Sequence, residues 1–195
     1  MISAQTRIFK GLMHKLITTF FLLCIVLSEV RADTLAQEQA KSFLNIYSAL
    51  CLRHLTNPTA LRSKLEGMPK LADEGAAQFL GGKAGSAWPV PDKNGHFVLT
   101  LDDKSNLCSI HGRQADTEFI KSEFVKLMSL APTGLAAREL GNETNQISAQ
   151  VQTNTITYEW SSAATPTMKV LFVLTTSPSA LAPLQVLGSA VMVGR

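Results

Sequence analysis

No stretch of this 195-residue chain is apolar for long enough to cross a bilayer as a helix, which takes about 20 residues; the longest such run, Leu16–Leu27, spans 12. Cysteine is scarce. Three are present, Cys24 lies inside that run, and only Cys51 and Cys108 remain for the rest of the chain. C-x-x-C, H-E-x-x-H and H-x-x-E-H are all missing, which removes the signatures of thiol oxidoreductases and zinc peptidases. There is no G-x-S-x-G elbow, no S-x-x-K pair and no dinucleotide fingerprint, so the common exported hydrolases and nicotinamide enzymes find no support. Gly81, Gly82, Lys83 and Gly85 crowd together, but the phosphate-loop spacing is absent and no apolar strand leads into them. A surplus of positive charge is missing too. Setting aside residues 1–32 removes Arg7, Lys10, Lys15, Arg31 and Glu29, and leaves 14 basic and 14 acidic residues in 33–195. A neutral chain lacks the electrostatic footprint that nucleic-acid phosphates or anionic lipid heads demand.

What is present begins with an address. Arg7, Lys10, His14 and Lys15 precede the apolar run with no acid among residues 1–15, and Val30 and Ala32 follow it at the positions a signal peptidase reads. The pattern predicts a signal peptide over 1–32, cleavage after Ala32, and one α+β domain over 33–195 working in a periplasm or outside the cell. A lipid anchor on Cys24 is the first rival, opposed by the bulky Leu22 and Leu23 before it. An uncleaved anchor flanked by Glu29 and Arg31 is the second, opposed by the shortness of the run. After cleavage no stable membrane insertion is expected. In an oxidising compartment Cys51 and Cys108 form an even pair, which predicts one disulfide. The alternative is two buried free thiols.

Hydrophobic periodicity supplies the elements. Residues 35–55 place Ala40, Phe43, Tyr47, Leu50, Cys51 and His54 at helical spacing, turning Cys51 inward. Asn57-Pro58 reads as a cap with proline at the first helical position, opening a short helix that Gly67 stops. A second short helix over 69–80, with Leu71, Ala76, Phe79 and Leu80 on its buried side, ends at Gly81-Gly82. Residues 81–95 read as a loop around Trp88, which is either a ligand platform or a core-edge residue. The alternation of Phe97, Leu99 and Leu101, then Cys108 and Ile110, predicts a hairpin with those side chains on one face. The register that joins them puts Cys108 on the buried side and brings His96 and His111 together on the other, directly across or one step diagonal.

Asp116 caps a helix running to about Ala131, and strands are expected near 136–141, 146–160, 168–176 and 184–193, the second with a bend at Thr153-Asn154. Helices first, then a hairpin and a helix, then a meander predict α+β: N-terminal helices and one mid-chain helix on an antiparallel sheet.

The run from Cys51 through Trp88, Gly95-His96-Phe97-Val98-Leu99, Cys108 and the helix after Asp116 resembles an uncharacterised family of exported proteobacterial proteins. Its members carry two cysteines, a Gly-Phe strand start and a threonine-rich closing sheet. The resemblance implies export and a single domain, and brings no activity, cofactor or catalytic residue with it. No cofactor or metal is expected on residue grounds either: a histidine pair falls short of the three or four ligands a zinc site needs. The expected role is therefore a non-enzymatic binding, accessory or inhibitor/immunity module of the cell envelope. Its partner would be another envelope protein, and its contact surface would be drawn from Trp88, His96, His111 and Ser177, the last in the Thr176–Ser179 loop. The alternative is a small exported hydrolase built on the His96/His111 face.

Overall fold

The computed structural model describes residues 34–194. The segment read as a signal, with Cys24 and the cleavage point after Ala32, lies outside the described residues. Helix α1 (34–47) forms on the expected stripe and finishes in one π-helical turn, Ser48–Leu52, closed by Arg53 N–H donating to the Ser48 carbonyl at 3.0 Å. Ala40, Phe43, Tyr47 and Cys51 are all buried along it. Helix α2 (Pro58–Leu65) starts as its sequence dictates: the Asn57 side chain accepts from Ala60 N–H at 3.0 Å, and proline occupies the first turn, where its missing N–H costs nothing. Gly67, at φ +82°, follows its end. Helix α3 is shorter than expected, Asp73–Leu80, and Gly81 ends it in the left-handed conformation (φ +58°) that glycine adopts without strain.

The 81–95 segment is not the uninterrupted loop its glycines and prolines suggest. It contains strand β1 (Gly85–Val90), an edge strand in which Trp88 pairs with Leu99 and Pro89 with Val98. Proline is tolerated there because an edge strand has one row of N–H groups with no ladder to complete. The chain before α3 also runs along this edge, with Leu71 N–H donating to the Ala87 carbonyl at 2.9 Å. Strands β2 (Phe97–Asp102) and β3 (Cys108–Gly112) form the expected hairpin, with Leu101 opposite Cys108 and Leu99 opposite Ile110. Its turn is tied by Asp102, whose carboxylate accepts from Lys104 N–H, Ser105 N–H and the Ser105 hydroxyl; the Ser105 amide bond holds that carboxyl below its usual range. Arg62 of α2 clasps the same turn through Asp103 at 3.0 Å.

Helix α4 (Thr117–Ser129) is capped by the Asp116 carboxylate accepting from Phe119 N–H at 2.9 Å. It carries the chain across to the far edge. From there β4 (Ala136–Ser148), β5 (Val151–Ser161), β6 (Met168–Thr176) and β7 (Val186–Gly194) meander back. All seven strands make one antiparallel sheet in the order β1-β2-β3-β7-β6-β5-β4. The fold is thus α+β, as expected. The differences lie in β4, which is about twice the expected length and runs through the expected 142–145 connection, and in the β4–β5 turn, which falls at Ala149-Gln150 inside the stretch expected as one strand, while Thr153-Asn154, the expected bend, lie within β5. Bulges between Glu139 and Gly141 and between Gln146 and Ser148 disturb the pairing that alternation alone would give.

Alternation sorts the sheet into two faces. One carries Leu99, Leu101, Ile110, Phe172 and Leu174, all fully buried against Phe43 and Tyr47 of α1 and Ile120, Phe124 and Met128 of α4. The approach is close at Gly188, where an added Cβ would lie 2.8 Å from the Phe43 ring. The ends of the layer are tied by hydrogen bonds: the Tyr47 hydroxyl donates to the Ser189 carbonyl at 2.9 Å, and the Trp160 indole N–H to the Met128 carbonyl at 2.6 Å. Burial pushes the Tyr47 hydroxyl pKa further above its ordinary value, so the group stays a protonated donor. Cys51 and Cys108 are bonded with Cα atoms 5.4 Å apart, so the π-helical end of α1 is stapled to β3. No helix among the described residues is long and apolar enough to cross a membrane.

Candidate functional site

The second sheet face is covered only in part, and the cover is α3, packed over β1 and β2. Val98 sits opposite His111, and alternation places Thr100 on the same side. His111 is a strand residue held between two neighbours. Its Nε2 lies 3.3 Å from the Thr100 hydroxyl, and the Phe79 ring of α3 meets it edge-on at 5.2 Å with the planes 76° apart. The side chain is 4 % exposed, and Nδ1 has no hydrogen-bond partner among the described residues. Burial brings the His111 pKa down to about 4, so the ring is neutral at neutral pH.

A cleft of about 340 Å3 opens over this ring. Its walls are apolar: Phe79 from α3, Val98 from β2, and Pro183 and Leu184 from the β6–β7 connection. Its polar members, besides His111, are Gln78, His96 and Arg113, all three exposed. No acidic residue lines it. Arg113 makes no ion pair among the described residues, where Arg62, Arg138 and Lys169 all do. Backbone placement explains the grouping. His96 immediately precedes β2, one step diagonal from His111 across the hairpin, and Arg113 immediately follows β3. A larger hollow of about 560 Å3 lies between the start of α1 and the cap of α4, but it is shallow and holds neither a histidine nor an aromatic ring.

The sequence-selected residues therefore part company. His96 and His111 come together as the hairpin register requires. Trp88 does not join them: it is 3 % exposed, faces the α1 layer across from Leu99, and has Lys70 Nζ 5.2 Å above its ring. Its indole N–H has no partner among the described residues. Ser177 is 1 % exposed, and its hydroxyl donates to the Gln152 carbonyl at 2.7 Å, pinning the end of β6 to the start of β5. Sequence reasoning passed over Thr100, Arg113, Pro183 and Leu184. Thr100 and Arg113 carried a signal, since two-residue alternation from Val98 reaches the first and the second borders the strand that holds His111. Pro183 and Leu184 reach the cleft through a connection whose path no local pattern dictates.

Chemically, the cleft is equipped to hold something and poorly equipped to react with it. A nucleophile–base pair needs a third group to orient the base, and His111 Nδ1 faces no carboxylate. Thr100, the hydroxyl within reach of the ring, is 4 % exposed. Among the described residues no three His, Cys, Asp or Glu side chains gather as metal ligands would. No family model matches the chain, and no curated protein matches it either.

Proposed function

We propose that this protein is a non-catalytic binding module exported to the cell envelope, and that the cleft between α3 and the β2–β3 hairpin is where it grips its partner. The observation that carries the reading is the buried His111 ring: it has an unpartnered nitrogen beneath an apolar, half-open cleft, and no group stands near it to make the ring a catalytic base. A concave apolar site with few, placed polar groups is the usual form of a ligand pocket. The basic and apolar amino terminus supports export, and the Cys51–Cys108 bond suits an oxidising compartment.

Two measurements test it. Intact-mass analysis of the protein recovered from cells is expected to give Asp33 as the first residue with neither Cys51 nor Cys108 alkylatable; a retained residue 1 removes the export half of the reading. Tagged mature protein is then used to capture envelope components, beside a Leu184→Trp variant whose indole fills the cleft. A stoichiometric partner held by the first and lost by the second supports the module. A partner held equally by both puts the contact elsewhere.

A further inference from the structure

An apolar cleft with no acid on its walls, one unpaired arginine and a row of nitrogen donors is selective in charge as well as in shape. We propose that the cleft takes a carboxylate-terminated apolar group, its hydrocarbon packed between Phe79, Val98 and Leu184 and its carboxylate held by Arg113 and His96. The assignment rests on the cleft being the binding site.

Two observations converge. First, Arg113 is exposed and makes no ion pair among the described residues, and a guanidinium at the edge of a partly desolvated site matches a carboxylate in two parallel hydrogen bonds. Secondly, the walls are aromatic and aliphatic, so a bare inorganic anion would leave them wet, whereas an alkyl or aryl body removes them from water. Size narrows the choice. At about 340 Å3 the cleft sits at the low end of the roughly 300–1,000 Å3 of small-molecule pockets. It suits one short acyl chain, or the last residue of a polypeptide with its free carboxyl, and it is too small for a larger amphiphile.

Those two sources share the same chemistry, and the experiment separates them. Mature, oxidised protein is titrated with octanoate and with octanamide, then with acetyl-Ala-Leu as the free acid and as the amide. Calorimetry gives the affinity, and the imidazole carbon and proton shifts of His96 and His111 give the place. Each acid is expected to move both histidine signals and to bind about tenfold or more tightly than its amide. Arg113→Gln, an exposed change that leaves the melting temperature in place, is expected to erase that difference, and Leu184→Trp to abolish binding of all four. Tighter octanoate identifies a free acid as the source, and tighter peptide acid identifies a chain terminus; either order supports the shared chemistry. Equal binding of acids and amides overturns the carboxylate and spares the cleft. Undisturbed histidine signals with every ligand overturn the assignment outright, and capture of an envelope partner through the cleft would then stand alone.

Discussion

His111 is an ionisable side chain buried against the preference of its type, and its ionisation makes that measurable. Folding lowers its pKa from 6.5 to about 4, so above pH 6.5 the ring is neutral in both states and costs nothing. As the pH falls below 6.5 the unfolded chain takes up a proton that the folded chain refuses, and stability is lost until about pH 4, where the folded ring protonates as well. The loss assignable to this one side chain is on the order of 3 kcal/mol. Urea unfolding at pH 7 and at pH 4.5 is expected to show it in the wild-type protein and to show much less in His111→Leu. A His111 imidazole that titrates near pH 6.5 in the folded protein would refute the burial. A second residue-scale test concerns close approach. Gly188→Ala puts a methyl group 2.8 Å from the Phe43 ring, and overpacking of that kind costs about 1–3 kcal/mol, read as a lowered urea midpoint. An unchanged midpoint would mean that α1 sits further from β7 than described.

At the scale of elements, the parts that sequence made legible are those where one physical signal acts alone. The stripe of Ala40, Phe43, Tyr47 and Cys51, the Asn57 and Asp116 caps, and the alternation through Phe97, Leu99 and Leu101 each specify an element directly, and the hairpin register then brings His96 and His111 to one place. The candidate site was legible to that extent. Strand β1 was hidden because its composition, Gly-Ser-Ala-Trp-Pro-Val, is that of a loop, and only pairing with β2 makes it a strand. The long β4–β5 hairpin was misread because its turn, Ala149-Gln150, carries no turn-forming residue and two bulges break the alternation around it. Trp88 and Ser177 drew attention as loop residues and proved to be packing residues for the same reason: local sequence does not reveal what lies across the sheet. The disulfide links the two best-read elements, and its contribution can be measured. Cys51 and Cys108 are 57 positions apart, so removing both in Cys51→Ala/Cys108→Ala is expected to lower the unfolding free energy by roughly 4 kcal/mol. Denaturant titration of the two proteins in parallel checks it. A loss well under 1 kcal/mol would show that packing of α1 already restrains the loop.

At the scale of the molecule, one strand decides whether there is one sheet or two. β7 alone joins the β1–β3 unit to the β4–β6 unit, hydrogen-bonding to β3 on one side and β6 on the other. Unfolding followed by tryptophan fluorescence is therefore expected to coincide with unfolding followed by far-ultraviolet circular dichroism, because Trp88 lies in one unit and Trp160 in the other. Separate midpoints would mean that the units fold independently. The keystone also follows in sequence all six strands that it joins. Until residues 186–194 emerge, a nascent chain has two sheet fragments with open edges at β3 and β6 and nothing to close them, and contacts so distant along the chain form slowly. A chain that lacks β7 therefore bares two rows of unpaired backbone N–H and C=O groups, the template on which a second chain can add a strand.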